Sequence, residues 1–106
     1  MMKGIYAVVL TTCANEDDAK KIIASLLEKK LAACIQTYPV NSFYYWKDSL
    51  CNDKEILLLI KCKHELFDSI KNDIMENHSY ELPEIILLPI IDGYEKYLGW
   101  IDEVSR

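Results

Sequence analysis

Four aromatic residues stand in a row at Phe43-Tyr44-Tyr45-Trp46, inside a long β-forming stretch. That stretch is Ala33–Trp46 (ACIQTYPVNSFYYW), and a second, Lys54–Lys63 (KEILLLIKCK), follows the polar residues Lys47–Asp53 (KDSLCND). Successive residues of a strand point to opposite faces, so four consecutive aromatics make both faces apolar. Ile56–Ile60 does the same on the returning strand. The two stretches read as one long hairpin turning at Lys47–Asp53. Its outgoing strand would reach about 45 Å at about 3.3 Å per residue, well past the usual strand. Pro39 is expected at a bulge or on a sheet edge.

The rest of the chain supplies a partner for that hairpin. Ile5–Thr12 (IYAVVLTT) is β-branched and apolar, a buried strand. Asn15 is the expected N-cap of a helix whose first turn is acidic. Ala19, Ile22, Ile23, Leu26, Leu27 and Leu31 form its apolar stripe. Glu65–Asn77 is a second amphipathic helix, with Leu66, Phe67, Ile70 and Ile74 inward. Glu84–Ile91 is a fourth strand, broken by Asp92-Gly93, and Tyr94, Tyr97, Leu98 and Ile101 mark a short final helix. The order β-α-β-β-α-β with a helical tail is an α+β, ferredoxin-like antiparallel sheet with both crossover helices on one face. The 106 residues suit a single domain, 1–106.

Helices on one face leave the other face, and the projecting aromatic tip, uncovered. Burial of one aromatic side chain is worth roughly 1.5–3 kcal/mol. Several left bare exceed what a monomer usually shows, so another subunit is expected to cover them.

Composition narrows the function. Lys plus Arg is 12 against 17 for Asp plus Glu, a formal charge of −5 with no basic run. Nucleic acid and membrane are therefore not expected as partners. The apolar part of MMKGIYAVVLTTC is too short to span a bilayer and runs straight into a strand; neither a leader nor an anchor is expected there. Cys13, Cys34, Cys51 and Cys62 contain no CxxC pair, which excludes zinc ribbons and dithiol redox motifs. Reduced thiols and a cytoplasmic location follow as the expectation. No Ser/His/Asp set, nucleophile elbow or glycine-rich phosphate loop is present, and the chain is read as no enzyme.

Five segments then carry a resemblance: LAACIQ (Leu31–Gln36), YYW (Tyr44–Trp46), EILLLIKC (Glu55–Cys62), HSYELPEI (His78–Ile85) and YLGWI (Tyr97–Ile101). In this order and at these separations the chain resembles the CutA1 divalent-cation-tolerance family over nearly its whole length. The resemblance implies a ferredoxin-like subunit and a tight homotrimer whose long hairpins pair with neighbouring subunits. It also implies tolerance of divalent metals, copper binding and, in animals, anchoring of a cholinesterase.

Carried over residue by residue, Cys34 takes the LAAC cysteine position and His78 the first position of the H-x-Y block. They are the candidate ligands for copper or another divalent cation. Trp46, Glu55, Lys61, Tyr80, Glu84 and Trp100 match positions around an intersubunit cleft in the family. Here Ser79 stands where a proline commonly follows the histidine. Cys13, Cys51 and Cys62 match no pattern of the family.

Each assignment has a plainer counterpart. A strand cysteine such as Cys34 can be a small buried hydrophobe, and His78 can cap a helix. Cys62-Lys63-His64 could put a thiol and an imidazole on one strand face. Glu84 enters the core beside Pro83 and needs a partner, for which Lys61 is the candidate, from this chain or another. Besides the metal-binding trimer, the sequence leaves open a trimeric small-molecule-responsive regulator resembling PII-type signal proteins, or a scaffold.

Overall fold

A computed structural model describes residues 5–106. The expectations placed on Met1–Gly4 as part of the N-terminal stretch lie outside the described residues. The elements are β1 (Tyr6–Cys13), α1 (Glu16–Glu28), β2 (Cys34–Trp46), β3 (Ser49–Lys63), a 3-10 turn at His64–Leu66, α2 (Phe67–Asn77), β4 (Ile86–Pro89) and α3 (Glu95–Val104). They form one sheet in the order β2-β3-β1-β4 with every pair antiparallel. This is the α+β arrangement expected of the sequence.

The first helix starts where its cap dictates. The Asn15 side chain accepts the Asp18 amide at 2.8 Å, and Glu16, Asp17 and Asp18 sit at the positive end of the dipole. It ends earlier than its apolar stripe. Lys30 adopts a left-handed φ of 57°. The Leu31 amide bonds Leu26 O and the Lys30 amide bonds Leu27 O, both at 3.0 Å. That is a Schellman stop, and Leu31 drops into the core beyond the helix rather than within it. Leu27 is left exposed beside the stripe.

Helices α1 and α2 cover the sheet face carrying Ala7, Val9, Leu58 and Ile60. Ile22, Leu26, Ile70 and Ile74 meet that face and are fully buried. A polar bridge joins the two helices. The Ser25 hydroxyl donates to Asp73 at 3.0 Å, Lys29 pairs with the same carboxylate, and Asn77 donates to the Asp73 carbonyl at 2.9 Å. Opposite them, α3 covers only one corner of the second face, where Leu98 and Ile101 pack on Tyr6, Ala33 and Ile90. Lys63 and Asp102 pair at 3.7 Å beside that contact.

The hairpin differs from expectation at its turn. Only Lys47 and Asp48 turn, with φ of 50° and 65°, and pairing resumes at Trp46↔Ser49. Two positive φ values are the mark of a type I′ turn, whose twist matches the flanking strands. Ser49–Asp53 is therefore strand. Its polarity reflects a strand solvated on both faces within one chain, which mimics a turn in sequence. The β2–β3 register runs without a bulge from Cys34↔Lys61 to the tip, so Pro39 is an edge residue. β1 supports β3 only as far as Cys13↔Ile56. Val40–Trp46 and Ser49–Glu55 project past it as a two-stranded arm of about 23 Å. The β4 ladder is shorter than Glu84–Ile91, because the chain leaves β1 before Ile86 at the Pro83 loop.

Lys47 is poorly suited to its left-handed backbone, and Asp48 tolerates its own less well than glycine would. Replacing Lys47 by Asn and Asp48 by Gly is expected to raise stability by roughly 1 kcal/mol. Urea unfolding of the paired variant against the parent measures it.

Candidate functional site

Alternation along the arm sorts its aromatics. Phe43 and Tyr45 point to the helix side and are 70% and 76% exposed. Tyr44 and Trp46 share the opposite side with Asp53 and Glu55 and are about half as exposed, at 39% and 38%. They are shielded because the loop after α2 folds back beneath the arm. Between arm and loop lies a cleft of about 770 Å3, lined by Trp46, Asp53, Glu55, Tyr80, Glu81 and Glu84 among others.

His78 sets that loop. Its Nδ1 accepts the Tyr80 amide at 3.1 Å, and its Nε2 lies 2.8 Å from Thr12 O. A carbonyl can only accept, so the proton sits on Nε2 and donates to it, while Nδ1 keeps a lone pair for Tyr80. The ring also packs on Tyr80 with centroids 4.8 Å apart. His78 thus pins the loop to the end of β1 and aims the Tyr80 hydroxyl at Glu55, to which it donates at 2.6 Å.

Glu55 is only 8% exposed, so this bond matters. A carboxylate without it would lose water with no replacement. One rung outward, the Tyr44 hydroxyl donates to Asp53, its diagonal cross-strand neighbour. Burial and then the Glu55 bond raise the Tyr80 phenol above its ordinary value of 10.0. The Asp53 bond, with burial behind it, pushes Tyr44 up to about 12.

The anticipated site residues fall into two groups. Trp46, Glu55, Tyr80 and Glu84 come together in the cleft, with His78 behind it. Cys34, Lys61 and Trp100 lie toward α3 at the other end of the same sheet face. Lys61 donates to Gln36 Oε1 at 2.7 Å and its ammonium lies 5.9 Å from the centre of the Tyr97 ring. It does not reach Glu84 within the chain. Trp100 stacks on Tyr97 at 5.6 Å. Burial raises the Tyr97 phenol, as does the neighbouring Cys34 thiol.

Cys34 pairs across to Lys61, which pairs to Val8, whereas His78 binds at Thr12. Four residues of β1, about 13 Å, separate the two levels. Among the described residues no three His, Cys, Asp or Glu side chains converge on a point that could hold a metal ion.

The other thiols are structural. Cys62 is buried on the helix side and donates to Ala7 O at 3.6 Å, so it shares no strand face with a ligand. Burial pushes its thiol up to about 12 and that of Cys13 to about 11. Cys51 bonds Ser49 O on the arm at 3.7 Å. Sequence reasoning missed Thr12, Tyr44, Asp53 and Tyr97 as site residues. Period-two spacing held the signal for two of them: Tyr44 with Trp46, and Asp53 with Glu55.

A family model described as CutA1 divalent ion tolerance protein matches residues 7–104. The "Divalent-cation tolerance protein CutA" of Thermus thermophilus is 39% identical over 97 residues, 91% of this chain and 94% of that protein. The rice "Protein CutA 1, chloroplastic" is 38% identical over 100 residues, 93% of this chain. This chain spans only 56% of that plant relative's length. The crystal structure of CutA1 from Oryza sativa superposes with a TM-score of 0.93 at 36% identity, covering 100% of this chain and 98% of the other.

Two outcomes follow from the phenols and thiols. A phenol raised in the folded state stabilises below pH 10, and that stability is lost as pH climbs toward the folded value. Stability is therefore expected to fall from pH 10 to 12, and Tyr80→Phe to flatten the slope in urea titrations at several pH values. Cys13 and Cys62 should resist a thiol reagent at pH 8 in the native protein and react only after unfolding, as counted by absorbance.

Proposed function

The chain belongs to the CutA1 divalent ion tolerance family, and from that premise we propose that it works as a homotrimer that binds divalent cations, copper among them, at its subunit boundaries. The observation that carries this reading is the uncovered second face of the sheet. Tyr38, Ile86 and Leu88 lie exposed on it, and α3 shelters only a corner. β2, 13 residues long, forms one edge of the sheet and holds a single proline. A long apolar edge of this kind is a template for another strand. Three copies related by a rotation axis close such edges on one another without leaving one free.

A boundary between copies also answers the spread of donors. No cage forms within one chain, so a metal would draw donors from more than one copy. Cys34 is a partly exposed thiol on the uncovered face beside α3 and would supply a soft donor. His78 would join only by giving up the Tyr80 amide, since that bond occupies its one lone pair. The same juxtaposition would bring Lys61 and Trp100 of one copy toward the acidic cleft of the next.

The family is named for tolerance and for no reaction, and we read the protein as a binder rather than a catalyst. Four free cysteines favour a reducing compartment such as the cytoplasm. No helix among the described residues is long and apolar enough to cross a membrane.

Gel filtration at micromolar concentration is expected to give three times the 12.3 kDa of one chain. Tyr38→Asp, a charge on the uncovered face, should shift it to the monomer. A 12.3 kDa species for the parent refutes the assembly. Calorimetric titration of the reduced protein with copper should show binding that Cys34→Ser weakens by about tenfold or more. Equal binding by parent, Cys34→Ser and His78→Ala removes both ligands.

A further inference from the structure

Helix α3 is lightly seated. Of its ten residues, Leu98 and Ile101 are buried, and they rest on Tyr6, Ala33 and Ile90. A groove of about 530 Å3, lined by Leu27, Lys30, Trp100, Glu103 and Val104 among others, separates it from the end of α1. Residues 91–94, which lead into the helix, have no regular structure. The Asp92 side chain accepts the Gly93 amide at 2.9 Å, a bond inside that segment rather than to the body of the fold. A helix entered through such a segment has a place to pivot.

The far end is tied down. The Arg106 amide donates to Lys30 O at 2.9 Å, and the Arg106 Nε donates to Lys29 O at 3.2 Å. Both carbonyls stand at the C-terminal end of α1, where Lys30 turns to positive φ and the helix dipole is negative. The last turn of α1 has no basic side chain, and the Lys29 ammonium just past it is turned to Asp73. Arg106, from beyond α3, brings its cation to this end. The Ser105 hydroxyl bonds back to Ile101 O, so the tie runs directly from the last turn of α3. Its bonds are exposed, so water competes for them and the tie is reversible.

We propose that α3 is a hinged flap over the Cys34 end of the second sheet face, pivoting at residues 91–94 and held closed by the Arg106 tie to α1. Closed, it lays Tyr97 beside the Cys34 thiol. Lys61, the cross-strand partner of Cys34, then has its ammonium 5.9 Å from the centre of the Tyr97 ring. With the tie broken, two buried side chains and the exposed Lys63–Asp102 pair hold the helix. A swing about the pivot withdraws Tyr97 and opens Cys34 to solvent. All these contacts belong to one chain, so the flap stands whether or not the trimeric metal reading does.

The test compares the intact parent with Arg106→Ala by amide hydrogen exchange and by thiol labelling. Exchange at residues 98–104 is expected to quicken by roughly fivefold, the scale of one net hydrogen bond, while the core amides of α1 and α2 keep the parent rate. Alkylation of native Cys34, followed by mass spectrometry with the partly exposed Cys51 as internal standard, should quicken alongside it. A bond that merely adds stability would speed all three helices together and leave Cys34 matched to Cys51. Unchanged exchange at residues 98–104, equal quickening in α1 and α2, or Cys34 labelled at the parent rate overturns the proposal.

Discussion

A four-stranded sheet has two faces, and this chain carries enough helix to cover one. α1 and α2 supply the core on that side, where Ile22, Leu26, Ile70 and Ile74 meet Val9, Leu58 and Ile60. α3 is short and reaches only Tyr6 and its neighbours on the other. The second constraint is length. β1 stops at Cys13 while β3 continues to Ser49, so the hairpin leaves its support and becomes an arm. An isolated two-stranded ribbon is marginal in water. Here its inner side is propped by the loop after α2, and that propping creates the cleft.

The cleft depends on a relay of ordinary bonds. Thr12 O holds His78, His78 holds the Tyr80 amide, and the Tyr80 hydroxyl holds Glu55. Each link satisfies a group that its neighbour buries. His78, expected from the sequence to be a metal ligand, therefore already has a structural task, with both ring nitrogens engaged. Any ligand role for it competes with that task, and Cys34 on the other part of the face in turn lies beside the Tyr97 hydroxyl.

Legibility in the sequence varied by the range of the interaction. The element order, the Asn15 cap and the apolar stripes of α1 and α2 depend on neighbours within a few residues and could be read directly. The turn at Lys47-Asp48 could not, because the pair lacks the glycine that marks a two-residue hairpin turn and Lys47 does not favour positive φ. The polar residues that follow looked like loop for the same reason. The α1–α2 bridge through Asp73 was also invisible. An aspartate on an amphipathic helix looks solvated until the opposite helix presents Ser25 and Lys29.

Local periodicity and steric preference, which act through adjacent residues, were enough to specify a βαββαβ chain with a two-faced aromatic hairpin. The family resemblance rested on motifs of the same short range. Only the folded chain decided that Glu55 and Tyr80 meet while Lys61 and Glu84 do not. Sheet register and the path of a loop set which distant residues share a rung, and a shift of one residue would send each side chain to the other face. Convergence of groups far apart in sequence is a property of packing, and packing is settled by the whole core at once.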